Sequence, residues 1–368
     1  MIDPTLRAKA EQAAWAAAAR AKQENLDEWV ERLQAAGQSP RLEERIQQVR
    51  DQRWAGALPT WEPTGLAISS SSSPLPVIGI DGSQIYPPER SPVLWAYIQA
   101  VVYRTGCKPV LASKFLDFEQ EPGPEIEPGE EPAEYYEYPQ QIREHVNSWR
   151  TLLETQLASQ EIQQNPGCVV LFDNGLLPWF SVRGQAPRDQ LQQYLYDLLL
   201  TKPGLIAGVL SGAQSRLLSR LIYLIEASTL ESGLKKRPGP QDILLMAQML
   251  RVGERSALFK HGSPRNALFE KAGAGVYFFF LRTSRSEIAR IEVPEWVAMD
   301  PAKVEAVHSA VFSDSRATGY SYVLSMAHQQ ALVSLDIAET IQNGVLARYC
   351  EEFGRVLPEA AKVVMKRG

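Results

Sequence analysis

The chain has 368 residues, 45% hydrophobic and 22% charged, which is enough apolar matter for one large domain with insertions or for two domains. Its formal net charge of −5 leaves no global basic footprint, which argues against a protein that simply coats DNA; any hold on nucleic acid has to rest on local arginines. No run of about eighteen apolar residues occurs, and Asp3, Arg7, Lys9, Glu11 and Arg20 charge the start, so neither a membrane span nor a secretory signal is expected. Cys107, Cys168 and Cys350 are odd in number and widely spaced, which excludes a disulfide framework or a cysteine zinc set and points to a reducing cytoplasm.

Residues 3–53 are rich in Ala, Gln, Glu and Arg, and Leu26, Trp29, Val30 and Leu33 recur at helical spacing. The pattern predicts a helix over about residues 4–36 and a second over about 40–53. Ala13 to Ala19 is nearly all alanine, with a thin apolar face, so this arm is expected to pack on a partner or a second subunit. Ser69 to Ser73 reads as a flexible joint between arm and body.

Val77 to Ile80 is short, apolar and β-branched, a buried strand that delivers Asp81 into a turn made by Gly82 and Ser83. The apolar run Val93 to Tyr103 follows a Pro-rich bend and is expected to pair antiparallel with it. Leu116 to Tyr138 is acidic and Pro-rich, a loop or insertion. A helix returns over residues 140–161 with Ile142, Val146, Trp149, Leu153 and Leu157 on one face. Glu154 stands one residue from that face, either a solvated edge residue or a ligand.

The first design recurs at Cys168 to Leu177, where Val169 to Phe172 leads to Asp173, Asn174 and Gly175. Two buried strands that each end in Asp, with Gly within two residues, suit a carboxylate metal site: the strands hold the oxygens, and glycine leaves room for metal or phosphate. The same sequences are common turns in which Asp only accepts backbone hydrogen bonds, and at this level both readings stand.

Arg188 to Leu200 is a helix announced by Pro187, Leu205 to Leu210 a buried strand, and Ser215 to Leu224 and Gln241 to Val252 further helices. Such alternation implies an α/β domain with some parallel pairing. Gly275 to Arg282 and Ile288 to Pro294 form a hairpin, with Ile288, Arg290 and Glu292 on one face of its second strand. From Tyr320 onward the chain is helical to about Phe353, and His328 sits in a small, apolar helix as either a satisfied core residue or a ligand. His145, His261 and His308 lack metal-ligand spacing, and neither a phosphate-binding P-loop nor a Gly-x-Ser-x-Gly elbow is present.

Taken in order, Ile78 to Ser83, a helical glutamate, Leu171 to Leu177, Gly253 to Ser256, Ala289 to Trp296, Gly319 to Tyr322 and Ala327-His328 resemble the NurA nuclease family. The resemblance covers about residues 75–345, leaving residues 1–70 as a helical N-terminal arm with its joint and residues 346–368 as a helical tail. It implies an RNase H-like mixed sheet core flanked by helices, and a manganese-dependent 5′-to-3′ DNA exonuclease with single-strand endonuclease activity, magnesium being a second candidate ion. It further implies a homodimer that works with a HerA-like hexameric translocase in processing DNA ends. Carried over, Asp81 matches the first-strand aspartate, Asp173 the second, His328 the histidine of the C-terminal helix and, on position alone, Glu154 the helical glutamate.

In that reading Asp81 bridges two ions about 4 Å apart, Asp173 and Glu154 each hold one, and His328 completes a shell or positions the phosphate. Arg216 and Arg290 are candidates for gripping phosphate, or else ion-pair members; Tyr320 and Tyr322 stack on a base or serve as core aromatics. Asn174 intervenes before Gly175 and the stretch Gly208 to Ser215 holds no lysine, both departures from the family pattern; the missing lysine and the acidic insertion at 119–137 favour a second reading, a NurA-fold scaffold without catalysis that binds a translocase.

Overall fold

Strands form where β-branched and aromatic runs are bounded by glycine, proline or polar turns, and helices where capping residues precede an apolar stripe. The computed structural model describes residues 25–49, 56–60, 68–69, 74–86, 95–118, 138–178, 185–202, 204–228 and 239–353. The expected helix before residue 25, the serines 70–73 of the joint, most of the acidic insertion (119–137) and the tail after 353 lie outside the described residues.

The strands are β1 (Gly56–Pro59), β2 (Ile68–Ser69), β3 (Val77–Ile85), β4 (Trp95–Arg104), β5 (Val110–Asp117), β6 (Val169–Phe172), β7 (Leu205–Ser211), β8 (Glu254–Arg255), β9 (Phe259–Gly262), β10 (Val276–Arg282) and β11 (Ile288–Pro294). The helices are α1 (Leu26–Gly37), α2 (Leu42–Val49), α3 (Tyr138–Gln164), α4 (Gln185–Leu199), α5 (Leu217–Glu226), α6 (Asp242–Met249), α7 (Pro264–Lys271), α8 (Glu295–Ala298), α9 (Pro301–Ser315), α10 (Tyr322–Ala331) and α11 (Leu335–Phe353).

The chain divides into two units, and β3 and α10 each run from one into the other. The first takes Met1–Gly79, Glu161–Leu177 and Leu198–Ser325; the second takes Ile80–Gln160, Pro178–Asp197 and Met326–Gly368. In the first, the strand order is β1-β9-β10-β11-β7-β6 and then the start of β3, with β6 and β7 parallel and β7, β11, β10, β9 and β1 antiparallel in turn. In the second, β3 continues beside β4, and β4 pairs antiparallel with β5. The expected hairpin is β10–β11, in register from Val276↔Pro294 to Arg282↔Ile288.

The core of the first unit gathers Leu33 and Ala36 of α1, the inner faces of α5 and α6, and Phe259, Phe278 and Phe280 of the sheet. Ala13 to Ala19, on which the expected packing against a partner rests, lie outside the described residues. The arm's described helix α1 closes the chain's own core, because Trp29 and Leu33 find α5: Trp29 meets Tyr223 edge-on at 5.4 Å, and Arg32 pairs with Glu226 at 2.6 Å. Gly239 lies under Trp29, where a Cβ would come within 2.4 Å of the ring. Ser69, placed in the joint, pairs in β2 with Glu254. In the second unit, Ala96 and Ile98 of β4 and Leu116 of β5 pack on Ile142 and Val146 of α3, the stripe expected from its spacing.

Candidate metal centre

Asp81 is the central residue of β3, 5% exposed, where the flanking Ile80 and Gly82 are also buried. Its Oδ2 stands 2.7 Å from Nδ1 of His328, whose side chain is 55% exposed on α10. A buried carboxylate thus meets an imidazole that reaches solvent, which is a chemically open pair rather than a sealed core contact. Gln99, a lone polar residue in the run of β4, donates to the carbonyl of Ala331 at 2.6 Å and so ties down the last turn of the helix that bears His328.

Glu154 is 2% exposed on α3, so the sequence reading of a solvated edge residue does not hold for it. Its Oε1 packs against the backbone of Gly82, the residue after Asp81, at a point 2.5 Å from where a Cβ would stand. Arg150, one turn earlier, sits 3.3 Å from the same oxygen. A Cβ at position 82 would also meet Arg150 Cγ at 2.8 Å and the carbonyl oxygen of Gln99 at 3.0 Å, so close packing on this side of the strand favours glycine. The turn expected at Gly82 and Ser83 is absent, because β3 runs on through both residues to Ile85 and Asp81 lies within the strand.

In the first unit, Asp173 directly follows β6, and the phenol of Tyr320 donates to its Oδ1. The ring of Tyr320 is half-buried, and its hydroxyl is engaged with this carboxylate. Tyr322 is 45% exposed at the start of α10. The same helix start is held by Asp314, whose Oδ2 accepts from Ser321 Oγ at 2.5 Å and from the Val323 N–H at 3.3 Å, with burial pushing the carboxyl pKa up. Val323 also presses on β3: a Cβ at Gly79 would fall 2.5 Å from its carbonyl oxygen.

The two arginines have partners within the chain. Arg216 donates to the carbonyl of Gly239, and Arg290, with a side chain 12% exposed, pairs with Glu292 at 2.8 Å. These contacts answer to the ion-pair alternative for Arg290. Sequence reasoning missed Arg150, Gln99 and Glu292 as supports of the site; the signal was a polar side chain inside an otherwise apolar strand or one turn from a helical glutamate.

A mixed sheet flanked by helices, with one aspartate in its β3 strand and another just after β6, has the architecture of an RNase H-like nuclease. The family model of the NurA domain matches residues 75–333, and the chain belongs to the NurA family. Among solved structures, the NurA nuclease from Sulfolobus solfataricus matches at a TM-score of 0.58 and 15% identity, over 97% of this chain and 100% of that one. A second NurA structure matches at a TM-score of 0.46 and 11% identity, over 83% of this chain and 95% of that one. The catalytic domain of human Endonuclease V follows at 0.33 and 13%, over 83% of this chain and 96% of that one. No curated protein matches the chain. Among the described residues, no helix is long and apolar enough to cross a membrane.

Proposed function

We propose that this protein is a metal-dependent deoxyribonuclease that trims DNA ends, with Asp81, Glu154, Asp173 and His328 holding divalent ions. The observation that carries the reading is the 2.7 Å contact between Asp81 and His328, two donors that a scaffold has no need to place together at a solvent-reachable point. Carboxylate oxygens with one imidazole suit manganese, and magnesium after it. Within the second unit, Asp81 and His328 each offer one ligand atom to such an ion. Divalent ions held by these residues would supply activation of a water and stabilisation of the leaving 3′-oxygen of the phosphodiester.

The chain's own residues supply the rest. Arg150, 3.3 Å from Glu154, balances its charge, and Tyr320 holds the carboxylate of Asp173 in one orientation. The exposed ring of Tyr322 offers a surface on which a base of single-stranded DNA stacks. A 5′-to-3′ polarity, single-strand endonuclease activity, a homodimer, a HerA-like hexameric translocase as partner and a cytoplasmic setting belong to the same proposal, on the family membership.

The test is cleavage of 5′- and 3′-labelled single-stranded and duplex DNA with manganese, magnesium or chelator, wild type against Asp81→Ala. Manganese-dependent product that vanishes in the variant is expected, and the label pattern gives the polarity. Product undiminished by Asp81→Ala, or no product under any condition, would transfer the reading to a translocase-binding scaffold without catalysis. The internal partners of Arg216 and Arg290, which leave fewer cations for phosphate, favour that second reading.

A further inference from the structure

We propose that Glu292 is a positioning residue for Asp173, a role that rests on the reading of Asp173 as a metal ligand. Phe172, Gly208 and Glu292 stand side by side on three neighbouring strands, Phe172 paired with Gly208 and Gly208 with Glu292. Asp173 is the next residue after Phe172, and its turn folds directly over Gly208. A Cβ there would fall 2.3 Å from the carbonyl oxygen of Asn174 and 3.3 Å from the nitrogen of Leu176. Across that gap Glu292 reaches the turn, where its Oε2 accepts the N–H of Leu176 at 2.8 Å. Gly175 completes the fit, because a Cβ on it would stand 2.7 Å from the same oxygen.

The other oxygen, Oε1, accepts from Arg290 at 2.8 Å, and Glu292 as a whole is 2% exposed. A buried carboxylate is costly to keep, and apolar replacement of such pairs is often neutral or stabilising, so its retention calls for a role beyond packing. What it grips is the backbone three residues after Asp173. Asp173 is thus clamped from two sides, by Tyr320 on its carboxylate and by Glu292 on its turn. Groups that orient a ligand in this way typically change metal affinity about ten- to a hundredfold when removed.

The experiment titrates the full chain with manganese, counting free ion by electron paramagnetic resonance, and measures kcat and KM on single-stranded DNA. Glu292→Ala is expected to lower manganese affinity about tenfold or more and to lower kcat with KM little changed; Glu292→Gln, which keeps an acceptor for Leu176, is expected to recover most of both. If Glu292→Ala melts earlier yet binds manganese as wild type does, the residue is only structural and the proposal falls. Should that variant fail to fold, Gly175→Ala displaces the carboxylate from the other side. There the same loss supports the proposal, and unchanged affinity overturns it. Asp173→Ala separates the two claims. Manganese binding that survives it sinks the metal reading itself, whereas loss there with no loss in Glu292→Ala sinks only the positioning role.

Discussion

Tyr320 shows how one hydroxyl can matter at the residue scale. It donates to a carboxylate that is proposed to carry charge and metal, and a hydrogen bond to a charged group is worth about 1.5–3 kcal/mol. Tyr320→Phe removes the donor while keeping the ring. We expect a loss of stability of about that size in urea titration, with slower cleavage at saturating DNA. A variant as fast and as stable as wild type would mean that Asp173 is held by its turn alone. Glu154 and Asp81 make the complementary point, since each is a buried carboxylate beside a cationic or imidazole group, Arg150 or His328. Their burial could not be read from a position beside an amphipathic stripe or at the end of an apolar run.

At the scale of elements, α9 is instructive. Asp300 caps it, accepting the Ala302 N–H at 3.0 Å, and Pro301 opens it. Val304, Val307, His308, Val311 and Ser315 form one buried stripe at helical spacing, but two of the five are polar and Ser309 and Ala310 are buried outside it, so apolar periodicity alone does not announce the helix. His308 is 0% exposed and donates through Nε2 to the carbonyl of Gly253 at 2.9 Å, with Glu305 and Arg255 as its charged neighbours. Burial holds its pKa below the ordinary 6.5. The unfolded chain therefore takes up a proton that the folded chain refuses. The stability this group contributes is present above pH 6.5 and is lost as pH falls through the folded-state value. Thermal melts between about pH 7 and pH 5 should fall more steeply for wild type than for His308→Gln, which keeps an N–H for Gly253. His261, also lowered by burial, leaves a residual slope in both. Identical slopes would mean that His308 is protonated in the folded chain as well.

For the molecule as a whole, the proposed donors come from four segments distant in sequence: β3, α3, the turn after β6, and α10. An ion that binds only the folded chain stabilises it by mass action, about 2.7 kcal/mol at a hundred times its Kd. Manganese should accordingly raise the melting temperature of wild type and leave that of Asp81→Ala unmoved in calorimetry. Equal stabilisation of both would place any bound ion elsewhere. The same whole-chain view explains the arm, because α1 covers α5 and α6, whose apolar faces would otherwise stand open to water.

The sequence by itself determined the α/β class and the strand runs of β3, β4, β6, β7 and the β10–β11 hairpin, because strand periodicity is a local signal; it offered Asp81, Asp173 and His328 as candidates, with Asp81 expected at a strand end that the structure extends to Ile85. Tertiary structure alone decided that Asp81 and His328, 247 residues apart, lie in contact, and that Glu154 is buried against Gly82. It alone turned Tyr320 toward Asp173 and set Glu292 on the turn that follows. It also drew the short strands β1 and β9 and the helix α1 into the first unit, although β1 carries little signal of its own. The physical reason is common to all of these. Local sequence sets the backbone of an element, whereas the burial of a charge and the partner it finds depend on segments that meet only when the chain has folded.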